Sequence, residues 1–393
     1  MTPMPPPTGP HHTPEHEAFR ATVRRFVEEE IAPYHAQWER EGQVPREIWR
    51  RAGELGLLCL TVPEAYGGAG ADFSYSAIVV EEVNRAGATG PLFYLHSDIV
   101  APYLVHYGSE AQKQQWLPRM VSGEVIGAIG MTEPGAGSDL AGMRTRAERE
   151  PPAQGGGWCV NGQKTFISNG QLCDLLLLAA KTDPARGAKG VSLLLVDTTL
   201  PGFERGRRLD KLGMHAQDTS ELFFHDLRLP EDAVLGGEGQ GFRCMMEQLP
   251  QERLLVAIAG VAAMEAAVEW TRDHLQQRHA FGAPLADKQA LRHRLAQAWG
   301  DTVVARAFLD DCLRRHLRGA LDNATASLSK YWISEMQFRV LDECLQMFGG
   351  YGYMREYPIA RAWADARVQR IYGGTTEIMK EIVARSLFDS RGA

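Results

Sequence analysis

Cysteine is scarce in this 393-residue sequence, and its few copies form no recognisable pattern. The six cysteines contain no C-x-x-C pair and stand at positions 59, 159, 173, 244, 312 and 344. Such scatter argues against a zinc site or a disulfide framework, and no metal site is expected. Reduced thiols are typical of the cytoplasm, so we expect a cytoplasmic protein.

The sequence also lacks a block of basic residues and a long uninterrupted apolar run. It has 42 Lys and Arg residues against 49 Asp and Glu residues, which gives a net charge of −7. This balance argues against a nucleic-acid-binding surface. No apolar run reaches the roughly 18 to 20 residues that a membrane-spanning helix needs, so no membrane span is expected.

The first 14 residues contain no Lys or Arg and are rich in proline. The missing positive charge argues against a signal peptide and an Arg-rich transit peptide, so residues 1–14 are predicted to be a disordered tail. His11, His12 and His16 lie in or beside this segment, and no further ligand spacing accompanies them. A solvated tail is therefore a better interpretation of these histidines than a metal site.

What the sequence does contain is a change of periodicity, from helical to strand-like and back. Apolar residues at helical spacing in 15–123 predict an N-terminal helical domain. Residues 124–240 hold short β-rich runs separated by turn residues, which predict an antiparallel β domain, either a barrel or a sandwich. Residues 241–393 return to helical patterns that fit a four-helix bundle. The predicted fold class is therefore mostly α with a central β domain.

The stretch Leu249–Leu254 is unusual because a carboxylate and a guanidinium precede a run that is apolar on every face. The run continues from Leu254 to Met264, and a helix that is apolar all round is buried. Glu252 and Arg253 are therefore expected to enter the interior, where charge is costly unless it is paired or used. Glu252 is our candidate for a catalytic base. The alternative is a capping Glu-Arg pair at the start of an ordinary helix.

A glycine-rich loop follows the first predicted strand, at Met131–Asp139. Gly135 and Gly137 let backbone N–H groups approach a ligand closely, and Thr132 and Ser138 add hydroxyl donors. The loop lacks the third glycine of a dinucleotide-binding fingerprint, and no βαβ unit surrounds it. From the local residues alone, a simple glycine-rich turn remains the alternative.

Glu252-Arg253-Leu254 and the distant loop Tyr372-Gly373-Gly374-Thr375 together resemble the acyl-CoA dehydrogenases, most closely their long-chain branch. Most members of that family have their catalytic Glu in this loop, at the position that is Gly373 here. The long-chain and isovaleryl branches lack the loop Glu and carry the base on the long helix, in a context that Glu252 matches. This reciprocity is the most specific signal in the sequence. The resemblance extends from Glu15 to Phe388.

The same resemblance implies an FAD site assembled from several motifs. Met131–Asp139 is similar to the loop that packs against the flavin, and Asn161–Gly170 resembles a second flavin motif, with Phe166 in place of the common Trp. Arg278 matches an Arg that binds the FAD pyrophosphate of a neighbouring subunit, although a helix-ending Arg is the local alternative. The implied FAD contacts are Met131, Thr132, Gly137, Ser138, Phe166, Ile167, Ser168, Arg278, Phe281, Gln289, Gln346, Gly349, Gly350, Thr375 and Glu377.

The activity that this resemblance implies is FAD-dependent α,β-dehydrogenation of acyl-CoA thioesters to trans-2-enoyl-CoA, as in fatty acid β-oxidation. Glu252 would remove the α proton, because desolvation by the acyl chain raises the pKa of a carboxylate towards the working range. The N–H of Gly373 would donate to the developing enolate oxygen. Reduced FAD would pass electrons to an electron-transfer flavoprotein, and the resemblance implies a homotetramer. The implied substrate contacts are Ser138, Arg253, Gly373 and Gly374.

Two alternatives and one open question accompany this interpretation. An acyl-CoA oxidase of the same fold would consume oxygen without an added acceptor, and a non-catalytic flavin- or CoA-binding scaffold would turn nothing over. Thr89–Phe93 resembles the floor of the acyl cavity in long-chain enzymes, with Leu92 where a Gly would leave more depth. We therefore expect medium-to-long straight-chain acyl-CoA substrates, and Leu92 argues against very long or bulky chains.

Overall fold

The computed structural model describes residues 13–151, 153 and 156–388. Most of the predicted tail, including His11 and His12, lies outside this range. His16 lies in the first helix, where its ring stacks on Tyr75 with centroids 4.4 Å apart and its Nε2 lies 2.7 Å from Ser74 Oγ. The interpretation of His16 as part of a solvated tail is therefore wrong, because this side chain packs against the N-terminal domain.

The N-terminal part consists of six α-helices. Two π-helical segments, Val27–Ile31 and Leu95–Val100, lead directly into the second and fifth of them. Side-chain capping sets several of the helix starts: Ser109 and Gln112, for example, form a reciprocal capping box at the start of α6. The helices are α1 (Pro14–Phe26), α2 (Ala32–Glu41), α3 (Arg46–Glu54), α4 (Phe73–Arg85), α5 (Ala101–Tyr107) and α6 (Glu110–Val121).

The central part is one eight-stranded sheet. Its strand order is β6-β7-β3-β2-β4-β5-β8, and β1 pairs with β4 beside this path. Most pairings are antiparallel as predicted, but β1 runs parallel to β4 and β2 meets β4 in a parallel bridge. The strands are β1 (Gly127–Gly130), β2 (Arg146–Arg149), β3 (Trp158–Ser168), β4 (Leu175–Lys181), β5 (Val191–Asp197), β6 (Phe203–Arg208), β7 (Thr219–Leu229) and β8 (Val234–Leu235).

Strand β4 explains why the sheet lies at the centre of the molecule. Its side chains alternate between two cores: Leu175 and Leu177 pack with the helices, whereas Leu176 and Leu178 pack inside the β domain. Successive side chains of a strand point to opposite faces, so a strand that is buried on both faces needs a continuous apolar run. The run of four leucines meets that requirement.

The C-terminal part is a helical bundle built around α7, which spans 37 residues. An 18-residue window of α7 has a mean hydropathy of 1.6, so by length and composition this helix could cross a membrane, but 89% of the window is buried inside the protein. Helix α10 begins at a proline, Pro358, and was not predicted. The helices are α7 (Gly241–Gln277), α8 (Gln289–Leu317), α9 (Asn323–Met347), α10 (Pro358–Ala366) and α11 (Thr376–Phe388).

Candidate active site

Glu252 is buried in the fourth turn of α7, with 9% of its surface exposed. Burial raises the pKa of its carboxyl group to about 7, against the opposing effects of the Tyr103 hydrogen bond and the Arg253 charge. The Tyr103 hydroxyl donates to Glu252 Oε1 at 3.0 Å. Because α7 begins at Gly241, 11 residues earlier, Glu252 does not cap the helix and the capping alternative is excluded.

Arg253 is also buried, but it points towards α9 rather than towards its neighbour. Its Nη1 donates to Asn323 Oδ1 and, at 3.1 Å, to Ser327 Oγ. Its Nε has no hydrogen-bond partner within the described part of the chain. Arg253 therefore fixes α7 against α9 while it leaves one donor free beside the candidate base.

The loop that holds Gly373 and Gly374 lies against the same face of α7 as Glu252. A Cβ atom added at Gly373 would lie 3.9 Å from Val256 Cγ2, and nothing else is within 4 Å. Val256 follows Glu252 by four residues, so the two side chains are neighbours on one helix face. The structure therefore brings together Glu252 and Gly373, the helix position and the loop position at which the catalytic Glu stands in different branches of the family that the sequence resembles. The space at Gly373 is open.

Lys330 supports this loop and was missed by the sequence reasoning. It lies on α9, its side chain is fully buried, and its Nζ donates to the Gly374 carbonyl at 2.6 Å. Burial, together with the nearby Arg253 charge, lowers the pKa of the Lys330 ammonium to about 7. The available signal was a lysine one turn before Ile333 on the apolar face of a predicted helix.

The Met131–Asp139 loop leaves the end of β1 and runs beside β3. Thr165 N donates to the Thr132 carbonyl at 2.9 Å, which brings the loop next to the second predicted flavin motif. Gly137 and Ser138 are exposed, and a Cβ atom at Gly137 would meet no atom within 4 Å. This chain's own packing therefore does not require glycine at 137, whereas close approach of a ligand would.

A buried ion pair locks this loop to β3, and the sequence reasoning missed it as well. Lys164 Nζ donates to Glu133 Oε1 at 2.8 Å and to the Met131 carbonyl at 3.0 Å. Burial alone would raise the pKa of Glu133, but the Lys164 charge and several hydrogen bonds hold it below its usual value. Such charge-assisted contacts fix the conformation of the loop against β3, so the loop is not a flexible turn.

The second flavin motif presents one exposed aromatic ring. Phe166 is 67% exposed and has a φ of +59°, a left-handed conformation that residues other than glycine adopt rarely. Ile167 is buried in the β-domain core, which leaves only its backbone available to a ligand, and Ser168 is half-buried. A strained backbone that turns an aromatic face outwards is suited to stacking on a planar ring system.

A third group of predicted residues surrounds the C-terminal end of α7. Arg278 lies over the Tyr351 ring at 5.3 Å, and Phe281 is 95% exposed with a φ of +55°. Gln289 begins α8, Gln346 lies in the last turn of α9, and Gly349 and Gly350 begin a 3-10 turn that ends at Tyr353. Arg278 is 26 residues beyond Glu252, about 39 Å along a helix with a rise of 1.5 Å per residue. Within one chain this group and the base are far apart.

Thr375 and Glu377 form the N-terminus of α11, next to the Gly373–Gly374 loop. Ile378 N donates to Thr375 Oγ1 at 3.4 Å, and Glu377 is exposed in the first turn. Hydrogen bonds with the Glu377 backbone N–H and with Thr375 lower the pKa of the Glu377 carboxyl group. Thr375 and Glu377 therefore extend the polar surface of the Gly373–Gly374 loop away from Glu252.

The residues around Met131, Phe166 and Gly373 fit a flavin cofactor better than a metal ion. They offer an exposed ring, backbone N–H groups at an open glycine loop and hydroxyl groups, and these recognise planar and phosphorylated ligands. No group of three or more His, Cys, Asp or Glu side chains that could hold a metal ion occurs in 13–151, 153 and 156–388.

Comparison with known proteins finds one family along almost the whole chain. Residues 13–124 match the acyl-CoA dehydrogenase N-terminal domain, 128–227 its middle domain and 239–388 its C-terminal domain. The long-chain specific acyl-CoA dehydrogenase of Rattus norvegicus mitochondria is 51% identical over 375 residues, 95% of this chain and 86% of that protein.

Solved structures agree with this match. An acyl-CoA dehydrogenase from Geobacillus kaustophilus is 47% identical and superposes with a TM-score of 0.94 over 97% of this chain and all of that one. A glutaryl-CoA dehydrogenase from Mycobacterium smegmatis in complex with FADH2 is 28% identical, with a TM-score of 0.89 over 97% and 96% of the two chains. The chain belongs to the acyl-CoA dehydrogenase family.

Proposed function

We propose that Glu252 is the base with which this FAD-dependent acyl-CoA dehydrogenase converts acyl-CoA thioesters to trans-2-enoyl-CoA. The observation that carries this proposal is a buried carboxyl group with a pKa near 7 that faces the loop from which most family members supply their base. When bound, FAD accepts the hydride that leaves the β carbon. Glu252 takes the α proton, and its pKa places it in the range where a general base is effective.

The neighbouring residues position this base and the substrate. The Tyr103 hydroxyl orients the Glu252 carboxylate, and Lys330 holds the Gly374 carbonyl, which fixes the loop whose Gly373 N–H would donate to the thioester oxygen. The free Nε of Arg253 is available to the substrate. Ser138 and Gly374 complete the proposed substrate contacts.

The proposed FAD site combines two chains. Met131, Thr132, Gly137, Ser138, Phe166, Ser168 and the backbone of Ile167 would hold the flavin end, with Thr375 and Glu377 at the rim. A second group lies around the C-terminal end of α7, too far from Glu252 to reach the same cofactor in one chain, and would bind the FAD of a neighbouring subunit: Arg278, Phe281, Gln289, Gln346, Gly349 and Gly350. The exposed apolar side chains of Phe281, Tyr353, Leu387 and Phe388 support an interface on this bundle. We propose a homotetramer.

The substrate range, electron acceptor and compartment follow from the same proposal. Medium-to-long straight-chain acyl-CoA is the proposed substrate class, and an electron-transfer flavoprotein is the proposed acceptor. Within the described part of the chain all six cysteines are free and five are buried, which supports a reducing compartment such as the cytoplasm.

A panel of straight-chain acyl-CoA substrates, assayed with an artificial electron acceptor, tests this function. The expected result is that kcat/KM rises from short to long chains and then levels off, because each buried methylene adds up to about 0.8 kcal/mol. A maximum on isovaleryl-CoA or isobutyryl-CoA would overturn the substrate class. Oxygen uptake without acceptor would indicate an oxidase, and a flavin-loaded protein inert towards the whole panel would be a scaffold.

A further inference from the structure

A small cavity lies beyond the base, along the same face of α7. Val256, Gly260 and Ala263 follow Glu252 at intervals of four, eight and eleven residues and continue that face. Ala263 lines the cavity, together with Leu92 and Tyr372, the neighbour of Gly373. The cavity volume is about 30 Å³, which is room for about two or three water molecules or for the end of an alkyl chain.

The distance from the base to this cavity corresponds to a particular acyl chain length. Gly260, which lies next to the cavity-lining side chain of Gln337, and Ala263, which lines the cavity itself, are about 12 and 16.5 Å from Glu252 along the helix, given a rise of 1.5 Å per residue. An extended alkyl chain advances about 1.25 Å per carbon, as C–C bonds of about 1.52 Å dictate. A chain whose α carbon is at Glu252 therefore reaches the cavity at about carbons 12 to 15.

Two buried glutamines, Gln337 and Gln369, make part of the cavity wall polar, and we call this part the floor of the cavity. Only 2% and 6% of their surfaces are exposed, and the apolar end of an alkyl chain does not need such polar neighbours. The Oε1 atom of each has no hydrogen-bond donor within the described residues, and such burial is unfavourable. Four other polar side chains of the lining have partners: Asn84 donates to the Val80 carbonyl, Thr89 donates to Asp365, and the hydroxyl groups of Tyr94 and Tyr372 lie 3.4 Å apart.

We propose that this floor binds a hydroxyl group at the far end of an acyl chain of about 12 to 16 carbons. The inference rests on the proposed function, because the chain must enter from Glu252. Two acceptor oxygens next to the buried Asp365 carboxyl group favour a neutral hydrogen-bond donor and disfavour a second carboxylate, which would be repelled. The simpler explanation is a cavity that holds only water. In that case an acyl chain with a terminal hydroxyl group has no higher kcat/KM than an unsubstituted chain.

The experiment compares ω-hydroxyacyl-CoA with unsubstituted acyl-CoA at 12, 14 and 16 carbons, using flavin-loaded enzyme and an artificial acceptor. In the wild-type enzyme the ratio of their kcat/KM values should peak at one of these lengths and equal or exceed one there. Gln337→Met or Gln369→Met, which keep the side-chain length, should lower that ratio about tenfold, the effect of one lost hydrogen bond. Gln297→Met, on the exposed face of α8, is the matched control and should leave the ratio unchanged.

Octanoyl-CoA separates this inference from the proposed function because its chain ends short of the cavity. Its turnover by both variants at the wild-type rate shows that they are folded and active. An ω-hydroxyl group that lowers kcat/KM at every length, equally in wild type and in both variants, would overturn the inference and leave the dehydrogenase intact. Failure of the wild-type enzyme to oxidise any unsubstituted chain would instead contradict the proposed function.

Discussion

At the scale of single residues, the burial that would make Glu252 an effective base also destabilises the fold. The pKa of Glu252 is about 7 in the folded protein, above its ordinary value of 4.5, so folding favours the protonated form. The loss of folding free energy caused by ionising the buried Glu252 carboxyl group is therefore absent below pH 4.5. It grows as the pH rises from 4.5 to 7 and reaches its full value above pH 7.

We predict that Glu252→Gln makes the protein more stable at pH 8, by up to about 3 kcal/mol, although it removes the base. The neutral amide does not ionise, so the difference from wild type should shrink towards zero as the pH falls to 4.5. Unfolding of both proteins from pH 4.5 to 8 measures this. A constant difference across that range would show that Glu252 does not titrate near 7.

Asp98 must be controlled for in any pH experiment on this site. Burial also raises the pKa of this carboxyl group to about 7, and its backbone carbonyl accepts a hydrogen bond from Gln251, next to the base. The pH profile of kcat/KM for the wild-type enzyme should rise through an apparent pKa near 7. Asp98→Asn should leave this midpoint in place if Glu252 is responsible for it.

The sequence predicts the burial of single residues that break a local pattern, but it does not predict buried pairs. The burial of Glu252 was predictable because a carboxylate precedes an apolar run. The Glu133–Lys164 pair joins residues 31 positions apart, and the sequence contains no signal for their meeting until the strand register is known. Lys330 was missed for the same reason, since its partner is the carbonyl of Gly374, 44 residues away.

At the scale of elements, we propose that a base could be placed beside the substrate from either helix α7 or the Gly373 loop. The pair Glu252→Gly with Gly373→Glu should restore part of the activity that Glu252→Gly alone removes. A side chain at Gly373 has open space, but the φ of +64° and small errors in placing a base limit the recovery. The measurement is kcat with a long-chain substrate.

The single variant Gly373→Glu is the control for that exchange. It should lower kcat, because two carboxylates would crowd one α carbon and raise each other's pKa. A double variant no faster than Glu252→Gly would show that the loop position does not face the α carbon.

Lys330 connects α9 to this loop, and Lys330→Met tests that connection. We expect kcat to fall by about one to two orders of magnitude with unchanged flavin content, because a loosened donor costs about that much. Lys330→Arg, which keeps the charge and a donor, should recover part of the loss. An equal loss of flavin and activity would instead indicate a purely structural lysine.

The main elements were predictable where periodicity is strong. The helical pattern predicted for 241–393 agrees with α7, which spans Gly241–Gln277, and the β-rich runs predicted within 124–240 include β3, which spans Trp158–Ser168. Strands β2, β6 and β8 are short or carry several charged residues, as in Phe203–Arg208, so no local pattern indicates them. The parallel pairing of β1 with β4 depends on tertiary contacts that no local pattern encodes.

At the scale of the whole molecule, the account requires that neighbouring chains complete each other's cofactor sites. Arg278 is about 39 Å from Glu252 along α7, and the side chain of Phe281, three residues further on, is exposed. We predict that Arg278→Ala lowers FAD content and weakens assembly together, because a guanidinium that pairs with a pyrophosphate is lost. Flavin absorbance and light scattering on the same sample measure both.

Arg314→Ala, on the exposed C-terminal part of α8, is a matched control that should change neither property. A monomer that retains full flavin would contradict the cross-subunit assignment. Full flavin and intact assembly in Arg278→Ala would contradict it as well.

The most direct test of the central claim is anaerobic flavin reduction by a long-chain acyl-CoA in Glu252→Gln, followed by loss of flavin absorbance. We predict normal flavin content and substrate binding in this variant, with flavin reduction slowed by the ~10²- to 10⁴-fold typical of a lost general base. Glu247→Gln, one and a half turns earlier on α7, should reduce flavin at the wild-type rate. Flavin bleaching in Glu252→Gln at the wild-type rate would contradict the assignment of Glu252 as the base.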